Sequence, residues 1–245
     1  NVMTAKACPH ARTLTYSHVV PGLWYTVAAT NTAASAERWF RDVFCQDECR
    51  RAAEQGTSVY ALLQAIAAEA PPGAEGLFFH PYLLGERSPY WDANLRGSFV
   101  GATMRHGKGH FVRAILEGVA YSLRDCFRTI EEMGLAVDEI RLIGGGAKSD
   151  LWAQILADVF NMPIVRPAGC DASFGAALLA GVGIGLFPSE AAAVNQCVQI
   201  RDRLEPNPAA AALYAELFPV YCRIHDDLAG TYARLAAMLD GQKAR

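Results

Sequence analysis

Three consecutive glycines followed by a lysine and a serine form the segment of this sequence best suited to bind a ligand. An apolar run, residues 139–143, leads into Gly144, Gly145, Gly146, Ala147, Lys148 and Ser149. The pattern predicts a strand that ends at the glycines and a helix that begins at Ser149. Glycines let a ligand approach the backbone, and a helix start offers unpaired N–H groups to polar or anionic atoms. A tight turn with Ser149 as a simple cap has the same spacing, so both interpretations stay open.

Two common nucleotide-binding motifs match this segment only in part. A Walker loop requires glycine directly before Lys-Ser, and Ala147 stands there. The spacing Gly144-x-Gly146-x-x-Ser149 is closer to the dinucleotide fingerprint, but Arg166 replaces the acidic residue expected about 20 positions on. An arginine there would suit the 2′-phosphate of NADP, so an NADP-dependent reductase is one alternative.

Other polar residues in suggestive positions are expected to be structural. Glu86 and Arg87 lie in a glycine-flanked loop, where such residues usually form an ion pair that locks the loop. Glu117 falls in the middle of a predicted helix beside apolar residues, so a packing or hydrogen-bonding role is expected. We therefore assign no catalytic residue to this chain.

Cysteine and histidine spacing does not indicate a metal site. Cys45 and Cys49 are four residues apart, as are His106 and His110. No second pair with zinc-finger spacing follows the cysteines, and the glutamate of a zincin helix is missing after the first histidine. The seven cysteines are odd in number and scattered, as expected for reduced thiols in the cytoplasm.

Composition favours a globular cytoplasmic protein with one large core or two modest ones. The chain has 245 residues, of which 52% are hydrophobic and 19% are charged, and its net charge is −3. This balance does not favour nucleic acid or an anionic membrane as a partner. The first residues lack an apolar signal region, and the longest apolar run, residues 172–187, is shorter than the roughly 20 residues that span a bilayer.

The first half of the chain is predicted to contain a hairpin, two helices and a third strand. Two β-branched and aromatic runs, residues 14–20 and 23–29, flank the turn residues Pro21 and Gly22. The two helices are predicted to begin at the capping residues Ser35 and Thr57 or Ser58. The third strand is predicted at residues 76–84.

The second half alternates helices and strands. A long amphipathic helix is predicted at residues 110–133, strands at 139–143 and 163–165, a helix capped by Ser149 between them, and a small-residue helix at 172–185. Terminal helices at 207–240 are predicted to kink at Pro219. This order predicts an α/β fold with a mixed sheet covered by helices on both faces.

Four segments, in order along the chain, resemble those of FGGY carbohydrate kinases. The glycine loop with Trp152 and Gln154 is similar to the family's adenosine segment. Residues 80–101, which include Gly85, Arg96 and Gly97, resemble the family's loop before its long helix. Residues 97–117 are similar to its second signature pattern, except that Ala102 stands where a larger aliphatic residue is usual. Residues 175–180 resemble its small-residue helix.

The resemblance implies an actin-like (ribonuclease H-like) domain that forms half of a two-domain kinase. The implied core is residues 14–187, and residues 207–240 form C-terminal helices within a single domain of residues 1–245. In the family the preceding domain holds most sugar contacts and the catalytic aspartate. This chain would therefore hold the nucleotide and lack the N-terminal sugar-binding domain.

The same resemblance implies a reaction and its ligands. ATP with Mg²⁺ would be bound by residues 144–149 and, near the phosphates, by Ala34 and Arg38, with no metal ligand assigned to this chain. The sugar, a pentulose or related compound, would reach the cleft through the missing domain. The hairpin with His18 and Trp24 is most similar to that of members that phosphorylate D-xylulose, and residues 89–91 also resemble gluconokinases.

Two further alternatives concern partners. A homodimer is left open by the sequence. A domain with actin-like architecture that binds nucleotide or a protein partner but transfers nothing is the main alternative to an enzyme, and a preceding kinase domain in the gene would distinguish the two.

Overall fold

The chain opens with a three-stranded antiparallel sheet. The computed structural model describes residues 1–169 and 171–243, so Cys170, Ala244 and Arg245 lie outside the described part. Strands β1 (Val2–Thr4), β2 (Leu14–Ser17) and β3 (Trp24–Val27) pair in the order β1-β3-β2. The predicted hairpin about Pro21 and Gly22 is confirmed with shorter strands. Strand β1 was not predicted, because it exists only by pairing with β3, about 20 residues away.

Three helices follow this sheet. They are α1 (Ala34–Phe44), α2 (Gln46–Gln55) and α3 (Val59–Glu69). Ser35 was predicted to cap the first helix, but it lies in the first turn, and the residue before the helix, Ala33, provides no side-chain cap. Ser58 precedes α3 as predicted, although its side chain makes no capping bond. Helix α2 was not predicted, because its residues are mostly polar and exposed and carry little apolar periodicity.

A short antiparallel pair lies against the longest core helix. Strand β4 (Phe78–His80) pairs with β5 (Ser98–Val100), and α4 (Lys108–Glu132) packs on β4. Gly118 permits this packing, since a Cβ at this position would lie 2.1 Å from the Phe79 carbonyl oxygen. The predicted strand at 76–84 is thus only three residues long. Strand β5 was missed because it lies within the glycine-rich loop.

A mixed sheet carries the segment with the three glycines. Strand β6 (Ile140–Arg141) runs parallel to β7 (Ile164–Pro167), which is antiparallel to β8 (Ile200–Leu204). Helix α5 (Asp150–Phe160) connects β6 to β7. The predicted α/β class with a mixed sheet is confirmed, and so is the helix capped by Ser149. Strand β8 was not predicted.

The remaining helices lie around the end of the chain. They are α6 (Ala172–Gly183), α7 (Glu190–Cys197) and α8 (Pro208–Lys243). Helix α7 was not predicted. The terminal helices expected over residues 207–240, with a kink at Pro219, form one helix that contains this proline. Across 1–169 and 171–243, none of the helices is long and apolar enough to cross a membrane.

A buried ionic cluster joins α3, α4 and α8. The Glu117 carboxylate, 2% exposed, accepts hydrogen bonds from the Gly73 N–H at 2.9 Å, Arg113 Nε at 2.7 Å and the Tyr214 hydroxyl at 2.6 Å. Arg113 also donates to the Ala70 carbonyl oxygen at 2.9 Å. The hydrogen-bonding role predicted for Glu117 is confirmed, and through it the turn after α3 and the terminal helix are tied to the core helix.

Replacing Glu117 by alanine tests how much this cluster stabilises the fold. The change leaves the buried Arg113 guanidinium without its carboxylate, which costs about 3–5 kcal/mol of unfolding free energy. The exposed ion pair of Arg223 with Asp227 on α8 offers a control, because Asp227→Ala is expected to cost about 0.5 kcal/mol or less. Urea unfolding measures both values. Equal small losses in the two variants would contradict the proposed role of the cluster.

Candidate functional site

Six of the eight residues predicted to bind a ligand line one cavity of about 560 Å³. They come from α1 and from the glycine segment: Ala34, Arg38, Gly145, Gly146, Lys148 and Ser149. The other two, Gly144 and Ala147, line a second cavity of about 530 Å³ on the opposite side of the segment. Residues 144–149 therefore form a wall between two cavities, and one side of that wall faces α1.

Local backbone geometry explains the form of this wall. Gly144 has φ +90°, a conformation that favours glycine, and Gly145–Lys148 then form one 3₁₀ turn. Ser149 caps α5 by accepting a hydrogen bond from the Trp152 N–H at 3.0 Å. Among the described residues, no atom outside Gly145 and its two chain neighbours lies within 4 Å of the position that a Cβ on Gly145 would occupy, so the backbone there is open to a ligand.

The Trp152 side chain lies between the glycine segment and helix α4. Its side chain is 4% exposed, and its indole Nε1–H donates to the Leu116 carbonyl oxygen of α4 at 3.1 Å. A Cβ added at Gly146 would lie 2.9 Å from the indole ring. Gly146 is thus a packing requirement, whereas Gly145 is exposed to the cavity. The contact with the indole ring therefore fixes the position of the segment relative to the core.

Arg166 supports the segment from the other side. Its guanidinium donates to the Ala147 carbonyl oxygen at 3.1 Å, to Asp150 Oδ1 at 2.7 Å, and to Asp202 Oδ1 and Oδ2 at 2.7 and 2.6 Å. The residue is only 3% exposed. These bonds occupy the guanidinium, so the idea that Arg166 receives the 2′-phosphate of NADP has no support in this geometry.

Residues that sequence analysis missed complete the wall opposite the glycines. Helix α3 supplies Tyr60, Ala61 and Gln64, the residue before it supplies Ser58, and α1 supplies Glu37. Positions 34, 37, 38 and 41 share one face of a helix. Given the prediction of Ala34 and Arg38 as ligand-binding residues, this spacing could also have predicted that Glu37 and Arg41 lie on the same helix face. The α3 residues lie more than 15 positions away in sequence, and only tertiary packing places them here.

Glu37 is the acidic side chain of this cavity. It is 5% exposed, and burial raises the pKa of its carboxyl group from the ordinary 4.5 to about 7, although a hydrogen bond with Gln64 and the charge of Arg41 act in the opposite direction. Within the described residues, its Oε1 atom has no hydrogen-bond partner. Two cations, Arg38 and Lys148, line the same cavity.

The loop around Glu86 positions the start of α1. The Glu86 carboxylate accepts hydrogen bonds from Thr30 Oγ1 at 2.6 Å, the Asn31 N–H at 2.8 Å and Ser122 Oγ at 3.3 Å. The ion pair expected between Glu86 and Arg87 does not form in the described part of the chain. The Arg87 guanidinium lies over the Trp91 ring at 5.5 Å instead. Glu86 therefore locks its loop to the residues that precede α1.

The described residues do not form a cluster of side chains that could coordinate a metal ion. In residues 1–169 and 171–243 no group of three or more His, Cys, Asp or Glu side chains is arranged to hold an ion. His106 and His110 contact each other through their rings, 5.4 Å apart. The six cysteines in these ranges are free thiols.

Comparison with known proteins identifies relatives along most of the chain. A family model described as "FGGY family of carbohydrate kinases, C-terminal domain" matches residues 1–184. A xylulose kinase of Staphylococcus epidermidis is 36% identical over 211 residues, which cover 86% of this chain and 40% of that protein. A gluconokinase of Bacillus licheniformis is 37% identical over 215 residues, covering 87% of this chain and 42% of the relative. The chain thus spans less than half the length of these relatives.

Solved structures agree with this result. A xylulose kinase from Lactobacillus acidophilus superposes with a TM-score of 0.81 at 32% identity, over 95% of this chain and 46% of that one. A gluconate kinase from the same species has a TM-score of 0.79 at 32% identity, over 94% and 45%. Plasmodium falciparum glycerol kinase, solved with ADP, has a TM-score of 0.69 at 20% identity, over 86% and 41%, and so supports the fold alone. The predicted actin-like fold is confirmed.

Glu37→Gln is expected to have a higher free energy of unfolding than the wild type, by a margin that grows as pH rises. The folded protein binds the Glu37 proton more tightly than the unfolded chain does, so this residue lowers the free energy of unfolding as pH rises from about 4.5 to about 7. Glutamine does not titrate, so its advantage over glutamate grows by roughly 2–3 kcal/mol across this range.

Urea unfolding between pH 4.5 and 8 measures this difference. The matched control is Glu54→Gln, since Glu54 is exposed on α2. A stability difference between wild type and Glu37→Gln that does not change with pH would show that the Glu37 carboxyl group titrates normally.

Proposed function

Because the chain belongs to the FGGY family of carbohydrate kinases, we propose that it is the nucleotide-binding half of an enzyme that transfers the γ-phosphoryl group of ATP to a sugar. One observation carries this proposal: Ala34 and Arg38 of α1 face Gly145 and Lys148 of the glycine segment across one cavity of about 560 Å³. A cavity of this size is typical of small-molecule sites. The opposed walls fit a nucleotide between them.

The charges of the cavity suit an anionic ligand. Arg38 and Lys148 supply two cations, and the open backbone at Gly145 permits close approach of a ligand. In the described part of the chain, helix α1 begins without a side-chain cap at Ala33, and a helix start offers backbone N–H groups to a phosphate. We therefore place the phosphates between the start of α1 and the glycine segment. ATP and ADP are the proposed ligands.

Mg²⁺ enters the proposal as the ion bound by the nucleotide phosphates. Magnesium commonly keeps several waters and binds through one or two carboxylates together with substrate phosphates. No three acidic or histidine side chains of the described chain gather around a common point, so we assign no residue of this chain to the ion. When bound, Mg²⁺ neutralises charge on the transferring phosphoryl group.

The proposed acceptor is D-xylulose, with gluconate as the second candidate. The relatives that support this ranking are a xylulose kinase and a gluconokinase of nearly equal identity, 36% and 37%. The sugar contacts and the general base are assigned to the N-terminal domain that precedes this domain in the family. We also propose a cytoplasmic location, with neither nucleic acid nor membrane as a partner. A homodimer stays a prediction.

Substitution at Gly145 tests the nucleotide position. We expect the 245-residue chain to bind ADP with a Kd weaker than micromolar, because contacts from the other half of the cleft are missing. Gly145→Val places a β-branched side chain where the ligand approaches the backbone, so ADP affinity should fall at least tenfold while the melting temperature stays near that of the wild type.

Isothermal calorimetry measures the affinity. Gly230→Val, in α8 with no atom within 4 Å of the added Cβ, is the control and should bind ADP like the wild type. Gly146→Val is a poor probe, because its side chain would collide with Trp152. Unchanged ADP affinity in folded Gly145→Val would place the nucleotide elsewhere.

The isolated chain is expected to show no sugar-dependent ATP turnover. General-base catalysis contributes about 10² to 10⁴ in rate, and orientation of the acceptor contributes more. Both are assigned to the other domain, which must close with this one around the substrates. Joining this chain to that domain in one polypeptide should produce turnover, with xylulose above gluconate, ribulose and glycerol.

A coupled ADP-release assay with each sugar measures this. Robust turnover by the 245-residue chain alone would show that catalytic residues lie within it. A joined polypeptide that binds ATP but phosphorylates none of the four sugars would favour the non-enzymatic nucleotide-binding domain instead.

A further inference from the structure

We propose that Glu37 recognises the base of the nucleotide: its carboxyl group hydrogen-bonds the exocyclic amine and the neighbouring ring nitrogen of adenine, and it makes ADP affinity fall as pH rises. This inference rests on the proposed function, since it requires the nucleotide to lie between α1 and the glycine segment. It adds a specificity-determining residue to that site.

The Glu37 carboxyl group is not fully hydrogen-bonded within the described part of the chain. Glu37 lines the cavity and is 95% buried, and its Oε1 atom has no hydrogen-bond partner among residues 1–169 and 171–243. Buried polar atoms are nearly always paired, and an orphaned one calls for an explanation. A ligand group that enters from the cavity would provide the missing partner.

Charge is distributed unevenly along the cavity. Arg38 and Lys148, together with the start of α1, attract the phosphates. The wall formed by α3 and the residue before it contributes the neutral polar side chains of Ser58, Tyr60 and Gln64. An uncharged nucleoside fits this end better than a phosphate does. Gln64 acts on the Glu37 carboxyl group and opposes the rise of its pKa, so we assign Glu37 to the same end, where it faces the nucleoside.

A carboxyl group is complementary to the hydrogen-bonding edge of a purine base. A neutral carboxyl group has one donor and one acceptor, which match the ring nitrogen acceptor and the N6 amine of adenine. The ionised form has acceptors only and matches the N1–H and N2 amine of guanine. The protonation state of Glu37 therefore decides which base is preferred.

The surroundings of Glu37 set the pH at which this change occurs. The charged or titratable side chains that line the cavity or act on Glu37 are Arg38 and Arg41 of α1, Tyr60 of α3 and Lys148 of the glycine segment. Arg41 is engaged by Asp42 and by the Tyr60 hydroxyl, at 2.7 Å from each. Burial outweighs these cations and raises the pKa of Glu37 to about 7. The change of preference therefore falls near neutral pH.

Calorimetric titration with ADP and with GDP at pH 6 and pH 8 tests the inference. The protonated fraction of Glu37 falls about tenfold between these pH values, so the ratio of ADP affinity to GDP affinity in the wild type should fall by about tenfold or more. Both ligands are diphosphates, so titration of their phosphates cancels in this ratio. The wild-type comparison needs no variant to fold.

Glu37→Gln and the exposed control Glu54→Gln complete the experiment. The glutamine amide keeps one donor and one acceptor at every pH, so the affinity ratio in Glu37→Gln should stay constant and favour ADP. Glu54→Gln should behave like the wild type.

Two results separate this inference from the proposed function. If the ratio in the wild type does not change with pH while Gly145→Val still abolishes ADP binding, the nucleotide lies in the cavity and Glu37 does not recognise its base. If Gly145→Val binds ADP normally, the nucleotide position itself is wrong and the inference falls with it.

Discussion

The contact of the glycine segment with the Trp152 ring is the constraint on which the site depends. Trp152 is fixed at both ends, since its backbone N–H bonds the Ser149 cap and its indole N–H bonds the Leu116 carbonyl of α4. Gly146 must lack a Cβ to lie on the ring. Helix α4 thus positions the segment by holding the Trp152 ring. As a consequence, the backbone of Gly145 faces the cavity.

Buried charges hold the other walls in place. Arg166 donates a hydrogen bond to the Ala147 carbonyl oxygen of the segment, and Asp150 and Asp202 hold its guanidinium in place. The Glu86 carboxylate accepts a hydrogen bond from the Asn31 N–H, just before α1. Each of these groups has several hydrogen bonds, as expected for charges removed from water. Glu37 differs, because within the described residues its Oε1 atom has no hydrogen-bond partner. The supporting residues have their hydrogen bonds formed, whereas Glu37 in the cavity does not. Glu37 is therefore the candidate for ligand contact.

Local signals predicted the glycine segment and its helix, while long-range packing decided what was missed. The Ser149 cap and the apolar periodicity of α4 are encoded within one stretch of chain, so both helices were predicted. Strands β1, β5 and β8 have three to five residues and form only through distant partners. Glu37 was missed for the same reason: its burial and raised pKa arise when α3 packs beside α1, which no pattern in α1 reveals.

Amide chemical shifts recorded during an ADP titration test the nucleotide position most directly. The expected perturbations are confined to residues 144–149, the start of α1 near Ala34 and Arg38, and the Trp152 indole N–H. An apolar cavity of about 270 Å³ lined by Leu123, Phe127 and Ile140 lies elsewhere in the structure, and its amides should not shift. Perturbations centred on that cavity, with the glycine segment unchanged, would contradict the placement of the nucleotide between α1 and the three glycines.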